Sequence, residues 1–229
     1  MKALPCSILL LILTSAELFA APDAIPVAAP LPSVPTDPII VLMLGPPGAG
    51  KGTQAERLAA KLGVPTISVG ALLRAARLNE AERQAQAKGE LLADTTVMRI
   101  LGEELFRSPG DLRYPKGFIL DGMPRSIAQV ALLETLLAPF RIKAVVLLEV
   151  PREVSLQRLL ERGKTSGRPD DANRTVIERR LDLSEATSRP IIAHYEKAGL
   201  LVRIDSTKPI PEVAETIATH VALKGKTRQ

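Results

Sequence analysis

A glycine-rich stretch near the start of the sequence carries its most specific chemical signal. Residues 45–53 read Gly-Pro-Pro-Gly-Ala-Gly-Lys-Gly-Thr, with Gly45, Gly50 and Lys51 at the spacing of a phosphate-binding loop. Gly52 stands where such loops carry a hydroxyl residue, and Thr53 follows one position later. Glycines let successive backbone N–H groups surround an anionic oxygen, and lysine adds a positive charge. The stretch predicts a nucleoside triphosphate site made by Gly48, Ala49, Gly50, Lys51, Gly52 and Thr53.

Two arginines follow strand-like runs and could hold a second phosphate group. Arg74 comes after the run at 65–68, and Arg125 comes after the run at 117–121. Ligands of parallel α/β sheets bind where strands end, and arginine can grip a phosphate through two hydrogen bonds at once. We therefore expect both side chains at a phosphate site, with exposed surface ion pairs as the alternative.

An aspartate ends one of these runs. Asp121 follows Phe118-Ile119-Leu120, the position from which an acidic side chain orients magnesium or its water beside a phosphate-binding loop. We predict that Asp121, through water, and Thr53 hold Mg²⁺. The alternative is that Asp121 caps a helix before Pro124.

A second group of arginines surrounds residues 163–173, a short segment rich in Gly, Pro, Ser and Asp. Such a segment is a candidate lid, whose closure would bring positive charge onto a transferring phosphate and exclude water. Asp170 and Asp171 are expected to pair with neighbouring arginines and not to bind metal. The arginine group consists of Arg158, Arg162, Arg168 and either Arg179 or Arg180.

Apolar runs and helical patterns alternate along the chain and must position these groups. Strands are predicted at 39–44, 65–68, 117–121, 143–150 and 200–204. Helices are predicted at 52–62, 70–107, 125–137, 151–162, 174–198 and 210–223. This alternation is typical of a parallel sheet covered by helices on both faces.

Composition limits the classes of function. The 229 residues are 46% apolar, which is enough for one sizeable core, but only 3% are aromatic and none is Trp. Without stacking aromatics, a nucleic-acid partner is not expected, although the net charge of +5 keeps a basic interaction protein as an alternative. The one cysteine, Cys6, lies in the leading segment, so the rest of the chain has no disulfide or thiolate metal cluster.

The first residues resemble an export signal. Residues 1–21 contain Lys2, an apolar run and small residues near Ala20, and residues 22–38 hold six prolines typical of an extended linker. This pattern predicts an exported or periplasmic protein with no stable membrane span after cleavage. An uncleaved tether, or a cytoplasmic protein with a misassigned start, is the alternative.

The order of motifs over residues 39–222 resembles the adenylate kinase and nucleoside monophosphate kinase family. Beyond the glycine loop, the resemblance rests on Ile67-Ser-Val-Gly-Ala-Leu-Leu-Arg74, Gly89-Glu-Leu-Leu92, Gly117-Phe-Ile-Leu-Asp-Gly-Met-Pro-Arg125 with Gln129, Leu159-Leu-Glu-Arg-Gly163 and Gly167-Arg-Pro-Asp-Asp171. It implies an α/β fold of the P-loop NTPase type with a parallel five-stranded sheet flanked by helices. It also implies a kinase domain at 39–223 with a helical monophosphate-binding insert at about 68–98, a short lid at about 162–173 without a zinc knuckle, and a tail at 224–229.

The resemblance also implies residue roles and a reaction. The implied reaction is reversible phosphoryl transfer from ATP with Mg²⁺, without protein-bound zinc or a covalent intermediate, by a protein that is expected to be a monomer. Catalytic roles fall on Lys51, Arg125, Arg162, Arg168 and Arg180, the last only weakly preferred over Arg179. The donor ATP would also meet Arg158, Arg162 and Lys208. The acceptor monophosphate would meet Val69, Arg74, Glu90, Leu91, Leu92, Gly122, Met123, Arg125, Gln129, Arg168 and Arg180.

The acceptor base is where the chain departs from the family pattern. The Gln129 amide offers a donor and an acceptor that suit adenine. Val69, Ala71 and Met123 stand where the family usually has Thr, an acidic residue and Phe. AMP is the expected acceptor, while CMP, UMP or relaxed choice stay open. An exported nucleotide-binding module without turnover is the alternative from another class of function.

Overall fold

The computed structural model describes residues 38–226 except 109, 110, 139, 167 and 172. The signal-like segment at 1–21, nearly all of the linker at 22–38 and the last residues of the tail lie outside this part of the chain. Export, cleavage and the monomeric state therefore stay predictions. Within the described ranges, no helix is both long and apolar enough to cross a membrane.

Five parallel strands form the central sheet, and a short hairpin lies apart from it. The sheet strands are β1 (Ile39–Leu44), β2 (Thr66–Ser68), β5 (Gly117–Asp121), β6 (Ile142–Glu149) and β7 (Leu201–Asp205). The hairpin pairs β3 (Phe106–Ser108) with β4 (Asp111–Leu112). The sheet order is β2-β5-β1-β6-β7, so the strand that leads into the glycine loop is central. This confirms the predicted fold class.

Eight α-helices surround the sheet in the described residues. They are α1 (Lys51–Leu62), α2 (Val69–Ala75), α3 (Glu80–Ala87), α4 (Asp94–Leu105), α5 (Ile127–Leu136), α6 (Arg152–Gly163), α7 (Arg174–Lys197) and α8 (Ile210–Lys226). A 3₁₀ turn at Pro169–Asp171 precedes α7. Sheet and helices together match the α/β architecture expected from the alternating pattern.

The helical stretch predicted at 70–107 is divided, because three helices and β3 occupy this range. Asn79 and Glu82 form a capping box that starts α3. Gly89 has a left-handed φ of +73°, which ends the helical run before α4 begins. The insert between β2 and β5 is thus made of short helices joined by turns.

Both faces of the sheet are covered, which explains the nearly unbroken apolar runs of its central strands. Ile40, Leu42 and Leu44 of β1 pack toward α2, α4, α5 and α7 on one face. Val41 and Met43 pack toward α1 and α8 on the other. A third, smaller cluster joins α6 to α7. This rigid sheet holds the carboxyl ends of its strands in a fixed arrangement.

Strand register brings the predicted site residues to one edge. Met43 of β1 pairs with Asp121 of β5, and Ser68 of β2 pairs with the same Asp121. The glycine loop, the start of α2 and the segment after β5 therefore leave the sheet side by side. The fold places its candidate site at this carboxyl edge, as expected for an open α/β sheet.

Candidate active site

The glycine loop is packed so tightly that two of its positions require glycine. Gly45 has a φ of +136°, and a Cβ there would lie 2.6 Å from the carbonyl oxygen of Leu148. Gly48 has a φ of +83°, and its Cβ would lie 2.7 Å from the carbonyl oxygen of Ser155. The loop therefore approaches β6 and α6 at backbone distance.

The loop passes directly into α1, which leaves backbone donors available to an anion. Gly50 is the N-cap and contributes no side-chain cap. The first N–H groups of an α-helix have no carbonyl partner within the helix, and the helix dipole favours negative charge there. The loop and the first turn of α1 thus offer backbone donors at the place where the sequence predicts a phosphate-binding site.

Lys51 lies across the start of the loop. Its Nζ donates hydrogen bonds to the carbonyl oxygens of Gly45, at 2.8 Å, and Pro46, at 2.9 Å. Burial lowers the pKa of the ammonium to about 8, although the nearby carboxylate of Asp121 opposes the shift. Positive side chains that surround the lysine add to the lowering, namely Arg125, Arg180 and Arg162. Several cations therefore converge on this loop.

Arg74 and Arg125 meet above the start of α2. A Cβ placed on Gly70 would lie 3.3 Å from Nη1 of Arg74 and 4.0 Å from Nη2 of Arg125. Nε of Arg125 donates to the carbonyl oxygen of Gly122 at 2.8 Å. The two guanidinium groups, which come from different elements, thus face one small space.

Arg168 of the lid and Arg180 of α7 lie close enough to this pair to affect its pKa values. Burial, and then the positive charge of Arg168, lowers the pKa of Arg74. Burial, and then the charge of Arg180, lowers the pKa of Arg125, even though part of the Arg125 side chain reaches solvent. Like charges at such short range destabilise one another unless an anion lies between them. The cluster is therefore suited to a polyanionic ligand.

Asp171 organises the lid side of the site. Its side chain is fully buried and accepts from Nε of Arg162 at 2.6 Å and from Nη2 at 3.0 Å. Nη1 of Arg180 donates to the same carboxylate at 2.7 Å and forms an ion pair with Asp170 at 3.0 Å. Burial alone would raise the pKa of Asp171, but the hydrogen bonds from both arginines outweigh it and bring the pKa below its usual value. The expected pairing of these aspartates with arginines is confirmed.

Adjacent arginines in α7 have different surroundings. The Arg180 side chain is 15% exposed and lies within the cation cluster. Arg179 is 56% exposed, and its Nη2 donates to Glu90 at 2.7 Å. A Cβ on Gly89 would lie 2.7 Å from Cγ of Arg180, so the turn before Glu90 abuts this side chain. Of the two candidates left open by the sequence, Arg180 is the one that lies near Lys51 and the other arginines.

Asp121 lies beside the glycine loop with spare hydrogen-bonding capacity. Its Oδ1 is buried without a hydrogen-bond partner among the described residues. Its Oδ2 would be 3.6 Å from a Cβ on Gly52. Ser126 is the N-cap of α5, so the helix-capping alternative for Asp121 is wrong. A buried carboxylate oxygen without a partner fits the hydration shell of a hard cation, and the exposed Thr53 stands in the adjacent turn of α1.

A side-chain network joins the loop to the segment after β7. Nη2 of Arg158 donates to the carbonyl oxygen of Ser206 at 3.0 Å, and Nη1 lies 3.5 Å from that of Gly48. The Ser206 hydroxyl donates to the carbonyl oxygen of Ala49 at 3.0 Å. Lys208 points elsewhere, since its exposed ammonium pairs with Glu212 at 2.8 Å. Any contact of this segment with a nucleotide would come from its backbone.

Most residues expected around the acceptor base are buried among apolar side chains. Val69, Leu92 and Met123 are 3%, 8% and 0% exposed and belong to the core cluster beneath α2 and α4. Leu91 is half-buried, whereas Glu90 is exposed. The sequence thus indicates the apolar residues of this region, which needs polar groups as well to bind a base.

Gln129 and a residue missed by the sequence analysis supply these polar groups. The Gln129 side chain is 2% exposed, and its Oε1 accepts from the backbone N–H of Arg125 at 2.7 Å. Its Nε2 donates to Oδ1 of Asp94 at 2.8 Å. Asp94 opens α4 and reads in the sequence as an ordinary acidic residue at a helix start. What distinguishes Asp94 from other acidic residues at helix starts is its hydrogen bond to Gln129, which lies far along the chain.

The site as built defines a class of enzyme. A glycine loop follows the central strand of a parallel sheet, and Lys51 lies across this loop. Arginines of α6, α7 and the segment after β5 lie near the lysine, and Arg74 of α2 lies near Arg125. This arrangement is that of a P-loop enzyme that transfers phosphoryl groups.

Comparisons with known proteins identify the family within that class. A family model described as adenylate kinase matches residues 43–200. An adenylate kinase of Synechococcus sp. is 44% identical over 182 residues, covering 76% of this chain and 92% of that relative. An adenylate kinase of Thermobifida fusca is 40% identical over 81% of this chain and 98% of that relative. The chain belongs to the adenylate kinase family and is a phosphotransferase of the nucleoside monophosphate kinase type.

Proposed function

We propose that the protein catalyses reversible, magnesium-dependent transfer of the γ-phosphate of ATP to AMP, giving two molecules of ADP. The observation that carries the proposal is the convergence of Lys51 with two sets of arginines, one from the insert side and one from the lid side. Arg74 and Arg125 are suited to the acceptor phosphate. Arg162 and Arg180 are suited to the transferring phosphate.

Positioning and electrostatics supply the catalysis in this proposal. An oxygen of the acceptor monophosphate attacks the γ-phosphorus, and the bond from that phosphorus to the β–γ bridging oxygen breaks, so the β-phosphate leaves as part of ADP. The acceptor oxygen is already anionic, so no general base is needed. Lys51 and the arginines stabilise charge on the transferred group, and lid closure keeps water from attacking it. The loop backbone holds the donor phosphates.

Magnesium fits this chain through oxygen groups beside the loop. When bound with ATP, it would neutralise charge on the β- and γ-phosphates. The unpartnered Oδ1 of Asp121 would orient the hydration shell of the ion. The Thr53 hydroxyl lies in the first turn of α1, directly after the glycine loop. These two groups support the proposed dependence on Mg²⁺.

Adenine is the proposed acceptor base because of the hydrogen bonds that Gln129 keeps. The amide has two N–H groups and two oxygen lone pairs, of which Asp94 and the Arg125 N–H each use one. One donor and one acceptor remain, which complements the edge of adenine. Val69, Ala71 and Met123 lack the hydroxyl, charge and ring usual in the family, so CMP or UMP stays the alternative acceptor.

Initial rates with ATP, Mg²⁺ and each of AMP, CMP, UMP and GMP test the proposal on the purified protein. We expect kcat/KM for AMP to exceed that for UMP and GMP by about tenfold or more, because their bases present donor and acceptor in the reverse order and a site built to pair with one order rejects the other. The preference over CMP should be smaller, because cytosine presents the same order as adenine. Higher kcat/KM for CMP or UMP would replace AMP as acceptor. ATP binding without diphosphate formation from any monophosphate would show a nucleotide-binding module without turnover.

A further inference from the structure

We infer that Asp94 is the positioning residue that sets the orientation of the Gln129 amide, and thereby the choice of acceptor base. The inference rests on the proposed function, because it concerns how that function selects its substrate. Asp94 itself is not expected to touch the reacting atoms. Its role is exerted through the side chain that it holds.

The Gln129 amide is held at both ends, which leaves it a single orientation. The carboxylate of Asp94 only accepts hydrogen bonds, so it requires the NH₂ end of the amide to face it. The backbone N–H of Arg125 only donates, so it requires the oxygen end. With the amide reversed, its oxygen would face the carboxylate of Asp94 and its NH₂ group would face the N–H of Arg125, so neither hydrogen bond could form. The remaining donor and acceptor are therefore presented in one fixed order.

Asp94 also holds the helix turn that carries Gln129. The Ser126 hydroxyl lies 3.3 Å from Oδ2 and 3.5 Å from Oδ1 of Asp94. The same hydroxyl accepts from the backbone N–H of Gln129 at 3.1 Å, which caps α5. One carboxylate thus fixes both the amide and the backbone turn from which it extends.

The position of Asp94 in the chain connects this contact to the insert. It is the first residue of α4 and follows the Gly89 turn that abuts Arg180. Thr96, two residues on, donates to Glu82 of α3 at 2.7 Å. The base-orienting contact is therefore built into the helices of the insert. Loss of the Asp94 contact should alter acceptor recognition and leave donor binding intact.

Replacement of Asp94 tests the inference by steady-state kinetics. For Asp94→Ala we expect KM for AMP to rise about tenfold, the size expected for a lost hydrogen-bond partner, with kcat within about threefold and KM for ATP unchanged. The ratio of kcat/KM for AMP to that for UMP should fall by a similar factor, because uracil presents donor and acceptor in the reverse order and a freed amide can turn to match it. Asp94→Asn keeps an oxygen that can accept from Nε2, so it should restore the ratio to within about threefold of wild type.

A matched control and a second pair of variants keep the test decisive. Asp182→Ala removes an exposed aspartate whose ion-pair partner, Arg152, is not among the site residues, and it should change none of these constants. If Asp94→Ala does not fold, Gln129→Glu can be compared with the double variant Gln129→Glu, Asp94→Asn. The single variant sets two carboxylates against each other, and the added asparagine, whose N–H can donate to the new carboxylate, should recover the melting temperature. KM for AMP should stay raised in both variants, because a carboxylate has no N–H to offer the base.

Several outcomes would overturn the inference. These are an unchanged KM for AMP in Asp94→Ala, an equal loss for ATP and AMP, an Asp94→Asn variant as impaired as alanine, or no recovery of melting temperature in the double variant. Absence of ADP formation by the wild-type protein would instead refute the proposed function. The two failures are therefore distinguishable.

Discussion

Replacing Lys51 with methionine is expected to lower kcat by about a thousandfold, the upper range for loss of one preorganised electrostatic group. The lysine lies across the loop that holds the donor phosphates, in a field shared with three arginines. The ammonium of Lys51 would stabilise the negative charge of the phosphoryl group during its transfer. Methionine has a similar length but no charge, so it cannot supply this stabilisation. Coupled measurement of ADP formation from ATP and AMP gives the loss directly.

The same substitution should not lower the melting temperature. Burial depresses the pKa of Lys51, so at neutral pH the folded protein holds a charge that the unfolded chain accommodates more easily. An uncharged side chain removes that penalty and offsets the lost hydrogen bonds. Lys61→Met, at the far end of α1 where Lys61 pairs with Glu215, is the control and should retain full activity. A Lys51→Met protein with more than about a tenth of wild-type kcat would contradict the assignment.

Replacement of the two adjacent arginines of α7 should lower kcat/KM to very different extents. Arg180→Ala is expected to reduce kcat/KM by about a hundredfold or more, because it removes a guanidinium from the cluster around Lys51. Arg179→Ala breaks only an exposed ion pair with Glu90, of the kind that contributes about 0.2–1 kcal/mol, so its effect should stay within about fivefold. Parallel kinetics on both variants measure the contrast.

Arg180 also binds Asp171, so lost activity has to be separated from lost structure. Arg180→Lys keeps a positive charge but not the planar fork, and should remain impaired in turnover while folding as well as wild type. Melting temperatures of the variants provide the check. Greater damage from Arg179→Ala than from Arg180→Ala would exchange the two roles.

The sheet was predictable because its central strands are continuous apolar runs separated by helical patterns. Val145, Val146 and Leu147 lie in a run that predicts a buried central strand, and the structure confirms this. The breaks within 70–107 were not predicted, because helical spacing persists across them. They depend on the Asn79 capping box and on the left-handed Gly89. The hairpin of β3 and β4 is too short to give a pattern.

The site was predictable to the extent that its residues form local motifs. The loop with Lys51 is such a motif, since its glycines and lysine act together over a few positions. The choice between Arg179 and Arg180 was not local, because it depends on which face of α7 packs toward the loop. Asp94 was missed for the same reason, since its contact with Gln129 joins residues 35 positions apart.

Binding of diadenosine pentaphosphate, measured by titration calorimetry in the presence of Mg²⁺, tests most directly whether the cations of this cleft hold donor and acceptor phosphates together. The compound carries two adenosines on one phosphate chain and can fill both sites at once. We expect one molecule to bind per chain, and prior saturation with either ATP or AMP to weaken its apparent affinity. Competition with ATP alone, or two molecules bound per chain, would contradict a shared cluster.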